Sequence, residues 1–133
     1  WAETTRLFRM MTKNRPVYLD LKQFRFPIAA IMSVGHRASG VLMILAIPFL
    51  AYMLDLSLSG PEGFAHVSTI LDSLFIKLVL FVVLWAMLHH LLAGIRYLLI
   101  DFHLGVEKEM ATKSAQAVTV AAPVLAILIG LVL

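Results

Sequence analysis

Six residues with reactive or charged side chains stand in surroundings that are otherwise almost wholly apolar: Ser33, His36 and Arg37, then His89, His90 and Arg96. Serine offers a hydroxyl donor, imidazole a metal ligand or proton carrier, and guanidinium a charge that persists under all conditions. Ser33 and Arg37 are i and i+4, one above the other on a single helix face. A hydroxyl and a fixed cation so placed suit negative charge developing on an oxygen. His36 is turned about 100° from Arg37 and serves an adjacent face. His90, Gly94 and Tyr97 share one stripe, while His89 shares its own with Arg96. Adjacent histidines cannot both point at one ligand.

The elements that position these groups follow from composition. The chain has 133 residues, 61% of them apolar and only 14% charged. Soluble domains carry roughly 45–50% apolar and 25% charged residues, so this surface cannot be an aqueous one. Disorder is excluded by the same figures. With no cysteine, the chain holds no disulfide, thiolate metal site, iron–sulfur cluster or cysteine nucleophile. Three stretches are long and apolar enough to cross about 30 Å of hydrocarbon: about Pro27 to Leu54, Thr69 to Ile100, and Lys113 to Leu133. The fold class is an all-α membrane protein with three transmembrane helices, part of a multi-subunit helical bundle. Residues 1–26 form an N-terminal segment and 27–133 the membrane domain. The Ser57–Gly63 stretch, with Gly60–Pro61, is turn chemistry for a short connection, and Asp101 to Ala111 is the second connection. Pro48 and Pro123 fall inside spans, which bilayer helices tolerate. The first apolar run starts late, is long and contains Arg37, which argues against a cleaved signal peptide.

Basic residues set the orientation. Arg6, Arg9, Lys13, Arg15, Lys22 and Arg25 precede the first span; the first loop holds none, and Lys108 with Lys113 marks the second. The N-terminus and second loop therefore face the cytoplasm or an organelle matrix, and the C-terminus faces out. This distribution suits a membrane face rather than nucleic acid, despite the net charge of +3. Lys77 is the contrary charge, snorkelling outward like Asp72. At about 1.5 Å per residue, His36 lies on the order of 13 Å in from Pro27 and His90 about 15 Å from Ile100. The two polar clusters share one inner-leaflet depth. A histidine with glycine one turn later leaves room for a flat, bulky group, and haem is such a group, with imidazole its common axial ligand.

Taken singly, each residue has a plainer role. A membrane histidine can simply bond helices together, Arg37 and Arg96 can snorkel, Ser33 can bond back to its own helix, and Gly94 can be a packing contact. The joint arrangement at one depth favours function. Two alternatives remain open at this point: a three-span assembly anchor without a redox role, and a self-contained cytochrome with His36 and His90 as both haem ligands.

Arg15–Pro16, Arg25–Phe26–Pro27 and then Ser33–Val34–Gly35–His36–Arg37–Ala38–Ser39–Gly40 resemble the first signature of the cytochrome b membrane-anchor subunit of succinate dehydrogenase (succinate:quinone oxidoreductase, respiratory complex II). His90–Leu91–Leu92–Ala93–Gly94–Ile95–Arg96, followed by Asp101, looks like its second. The resemblance runs from about Arg15 to Leu133. It implies a bacterial inner membrane or mitochondrial inner membrane protein that works in electron transport and the tricarboxylic acid cycle. Its implied partners are a second membrane-anchor subunit, an iron–sulfur subunit, a flavoprotein subunit and the lipid bilayer. It implies a b-type haem shared with the partner anchor, with His90 the axial ligand of the iron and His36 and Arg37 near the haem propionates. Ser33 and Arg37 would line the site where quinone, the substrate, is reduced. His89 stands where the family does not require histidine, and Tyr97 where some relatives carry another histidine, so neither receives a role.

The chemistry is consistent with that likeness. Quinone reduction takes two electrons and two protons, with negative charge growing on carbonyl oxygens. Arg37 can stabilise that charge but cannot readily supply a proton, and no carboxylate stands beside Ser33 in the sequence. Another subunit or water must complete the site. Succinate oxidation itself belongs to partners, since this chain has neither cysteines nor a nucleotide-binding glycine motif; activity is expected of the complex rather than of the chain alone.

Overall fold

The computed structural model describes residues 3–6 and 26–132, and among these every regular element is helical. Four helices follow one another: α1 (Ile28–Leu58), α2 (Pro61–Leu71), α3 (Leu74–Asp101) and α4 (Lys108–Gly130). Three of them, α1, α3 and α4, are long and apolar enough to span a membrane. The chain is an all-α, multi-pass membrane protein. At about 1.5 Å per residue α1 is about 46 Å long, more than the hydrocarbon thickness, so it crosses tilted or projects beyond it. Most of the basic N-terminal segment, including Arg15–Pro16 and Arg25, lies outside the described residues.

The helix ends differ from the sequence expectation, and the causes are local. The first helix continues four residues past Leu54, because nothing before Ser59 stops it. The turn is confined to Ser59 and Gly60, whose φ of 136° is a conformation that glycine adopts without a Cβ penalty. Pro61 then opens α2 at a position where its missing N–H costs nothing. The stretch expected as one second span is two helices. Ser73 takes an extended conformation (ψ 129°) and breaks the helix ahead of Leu74. Asp72 and Lys77 pair across this break at 3.0 Å, both well exposed, as befits charges at a helix end. The second connection is shorter than expected, 102–107. α3 ends with Leu104 N–H bonded to the Leu99 carbonyl at 2.9 Å and His103 N–H to Ile100 at 2.8 Å, with His103 in the left-handed region (φ 62°). That is the Schellman stop, here built on a residue other than glycine.

Small residues make the packing. α3 lies against both α1 and α4 and buries Ala86, His89, Ala93 and Arg96 on one stripe. α4 answers with Ala115, Val118, Ala122 and Ala126, and α1 with Met32, Ser39 and Met53. Between helices in lipid there is little hydrophobic drive, so close backbone approach through small side chains supplies the attraction. Large apolar residues such as Ile44, Leu45, Phe75, Leu98 and Leu128 face outward, which in water would be a liability and in lipid is the solvated state.

α2 seats against the end of α1 through Gly63. A Cβ there would collide with the Leu56 carbonyl oxygen and the Ser59 hydroxyl. Because the first of these is backbone, relief requires helix displacement, at about 1–3 kcal/mol for such overpacking. Gly63→Ala is expected to lower the thermal midpoint of the solubilised protein with helix content retained. An unchanged midpoint would show that α2 is not held on α1 by this contact.

Candidate functional site between the first and third helices

α1 and α3 meet most closely where the polar residues lie, because α1 presents Gly35, Ser39 and Gly40 there. A Cβ on Gly35 would stand 2.7 Å from His89 Nε2, and one on Gly40 3.1 Å from His90 Cε1. Each glycine is the socket for one of the two adjacent imidazoles. The depth match read from the sequence is realised as contact: the His36 and His90 rings stack with centroids 4.0 Å apart and planes 16° from parallel. Tyr97 meets His36 edge-on at 5.3 Å.

His90 has a defined tautomer. Its Nδ1 lies 3.0 Å from the His36 carbonyl oxygen, which can only accept, so Nδ1 carries the proton. Ser39, fully buried, donates its own hydrogen to the same carbonyl at 2.8 Å and turns a lone pair toward Nδ1 at 3.2 Å. The Nε2 lone pair makes no hydrogen bond among the described residues. Imidazoles that bind metals are held in this way, with the second nitrogen donating to a carbonyl. No three of His, Cys, Asp or Glu converge on a point among the described residues, so a bare ion would find too few ligands. A macrocycle that brings its own equatorial nitrogens needs only axial ones. Gly94, one turn on from His90, stands in open space: a Cβ there would meet only His36 Nε2, at 4.0 Å.

The self-contained bis-histidine arrangement does not fit. Two axial imidazoles must approach one plane from opposite sides, nitrogen foremost. His36 and His90 instead lie face to face with no room between them.

His89 and Arg96 turn inward. His89 is 3% exposed, its Nε2–H donates a long bond to the Met32 carbonyl (3.4 Å), and its Nδ1 is buried without a partner among the described residues. An unpaired nitrogen of this kind costs about 1–3 kcal/mol. Arg96 was expected to snorkel but is 7% exposed: Nε donates to Ser114 Oγ and Nη2 to the Ala111 carbonyl, both at 2.9 Å, tying α3 to α4. Two hydrogen bonds inside the bundle satisfy the guanidinium where it stands.

Ser33 and Arg37 behave oppositely. They share one face, away from Met32 and Ser39, which are buried against α3. Ser33 is half-buried and Arg37 exposed. Neither makes a hydrogen bond or ion pair among the described residues, whereas Ser39, Ser57, Ser68, Thr69, Thr112, Ser114 and Thr119 all bond back to their own helices. The plain back-bonding role considered for Ser33 is therefore not the one it takes. The residues that sequence reasoning left without roles are Gly35, Ser39 and Gly40. Their signal was present as small residues four apart, Gly35 and Ser39, within the first motif.

The model of the family described as succinate dehydrogenase/fumarate reductase transmembrane subunit matches residues 11–129. The chain is 44% identical over 92 residues to the succinate dehydrogenase cytochrome b556 subunit of Coxiella burnetii, covering 68% of this chain and 74% of that one. It is 36% identical over 115 residues to the subunit of the same name from Paracoccus denitrificans, covering 86% and 88%. A mitochondrial cytochrome b560 subunit from Dictyostelium discoideum is 29% identical over 99 residues, covering 72% and 50%. A three-helix membrane bundle with paired motifs on α1 and α3, matched over nearly its whole length, belongs to the succinate dehydrogenase/fumarate reductase transmembrane-subunit family, as a cytochrome b-type anchor of succinate dehydrogenase.

Proposed function

We propose that this chain holds a b-type haem through His90 and forms, with Ser33 and Arg37, part of the site where quinone is reduced with electrons from succinate. The observation that carries the reading is the fixed His90 tautomer, with Nδ1–H bonded to the His36 carbonyl and the Nε2 lone pair left for a metal. The names of the relatives, cytochrome b556 and b560, support it. The haem, when bound, supplies a one-electron carrier within the bilayer. A partner anchor would provide the other ligand, since among the described residues no group of three metal-ligating side chains converges. His36 and Arg37 lie near enough in sequence and depth to serve the propionates. An iron–sulfur subunit and a flavoprotein on the basic side deliver the electrons.

The quinone chemistry follows from two unengaged groups. Ser33 donates a hydrogen bond to a headgroup oxygen, and Arg37 offers a charge that strengthens its interaction as that oxygen becomes electron-rich. Because Arg37 keeps its proton, both protons reach the reduced headgroup through water or an acid on a partner. Ser33 and Arg37 face out of the bundle, so the partners close the site over them. The chain sits in a bacterial inner or mitochondrial inner membrane, N-terminus on the electron-delivering side and C-terminus opposite.

Replacing His90 with Ala is expected to abolish the native reduced-minus-oxidised b-type spectrum of the assembled complex; an intact spectrum would sink the ligand assignment. Ser33→Ala and Arg37→Leu are expected to slow quinone reduction about tenfold or more, equivalent to ~1.4 kcal/mol of lost stabilisation. Succinate oxidation with a soluble acceptor should persist in the same preparation. Equal loss of both activities, or no loss of either for Ser33→Ala, counts against the site. Reporter fusions in the Gly60–Gly63 turn and after Leu133 should both read as external, and an internal signal from either reverses the orientation.

A further inference from the structure

We propose that His89, a residue to which no role has been given, is a positioning residue for His90. It makes His90 one arm of a two-point clamp on the backbone of α1. The inference rests on the reading of His90 as a haem ligand. Two consecutive imidazoles of α3 donate to carbonyls of α1 that are one helical turn apart: His89 Nε2–H to Met32 at 3.4 Å and His90 Nδ1–H to His36 at 3.0 Å. Each ring has its own socket, Gly35 for His89 and Gly40 for His90. The His89 ring is also braced from its own helix by Trp85, with centroids 5.5 Å apart.

One hydrogen bond leaves a side chain free to pivot and a helix free to slide. Two, from adjacent residues about 100° apart around α3 to carbonyls one turn apart on α1, fix the rotation of α3 and its axial register together. The register places His36 and Ser39 opposite Nδ1 of His90. The bare, buried Nδ1 of His89 fits this role: the Nε2–H tautomer is the one that reaches Met32, and the bond is kept although the other nitrogen goes unpaired. His89 thus acts on the metal through His90, by holding the Nδ1–H bond that makes the imidazole a stronger donor.

The test uses the full complex carrying His89→Phe, His89→Gln, Gly35→Ala or His90→Ala in this chain, with haem content, optical spectrum and haem midpoint potential measured. Phenylalanine keeps the volume without the donor, glutamine restores a donor, and the alanine Cβ at position 35 pushes the ring from its socket. His89→Phe and Gly35→Ala should keep the low-spin b-type spectrum but raise the midpoint. The expected ceiling is a tenfold loss of preference for ferric haem, about 59 mV for a one-electron couple. His89→Gln should return the potential toward the starting value. A lower haem content at unchanged midpoint overturns the proposal, since a purely structural residue would behave so. Failure of His89→Phe and Gly35→Ala to assemble, where His90→Ala assembles, also overturns it. A native spectrum in His90→Ala removes the ligand reading itself, and the clamp's role with it.

Discussion

In hydrocarbon a polar side chain has no water to fall back on, so it must find a partner within reach or be carried at a cost of several kcal/mol. The α1–α3 seam answers this by bringing backbones close enough for imidazoles of one helix to reach carbonyls of the other. Gly35, Ser39 and Gly40 create that closeness, and His89 and His90 use it. Both features depend on each other. With larger residues on α1 the rings would not fit, and with apolar residues on α3 nothing would select this register from others that bury equal area.

The same constraint divides the polar groups into two sets. His89, His90, Ser39 and Arg96 are bonded within the chain, and together they define how three helices fit. Ser33 and Arg37 are bonded to nothing among the described residues and face outward on α1. An unpaired guanidinium at partial membrane depth is costly, and the chain retains it beside an unengaged hydroxyl. A bundle that satisfies a buried arginine on α3 through two bonds to α4 is capable of satisfying one on α1. That the pair stays unbonded is what the proposed quinone site draws on.

The sequence made the spans, their number and the convergence of His36 with His90 legible, because hydropathy over about 20 residues and a rise of about 1.5 Å per residue are nearly independent of tertiary context. The interruption at Asp72–Ser73 was not legible, since apolar residues flank it and Ser73, which makes no side-chain capping bond, differs little in sequence from a serine lying within a helix. Arg96 was misjudged for a similar reason. Whether an arginine near a helix end snorkels or turns inward depends on acceptors from another helix, here Ser114 Oγ and the Ala111 carbonyl of α4. That Gly40 is the socket of His90 was not legible, because glycine spacing along one helix says nothing of which glycine faces it from the next.

Packing along the seam also changes with side-chain size. Toward the Ile28 end, glycine and serine let the helices touch and imidazoles lock them. Toward the Leu58 end, Leu42, Phe49, Phe75 and Leu78 line an apolar groove of about 480 Å³. Lipid tails can fill such an apolar groove, whereas the hydrogen-bonded end offers them no equivalent exchange. The hydrogen-bonded imidazoles of α3, and Ser33 and Arg37 one turn apart on α1, all stand at the glycine- and serine-lined end of the seam.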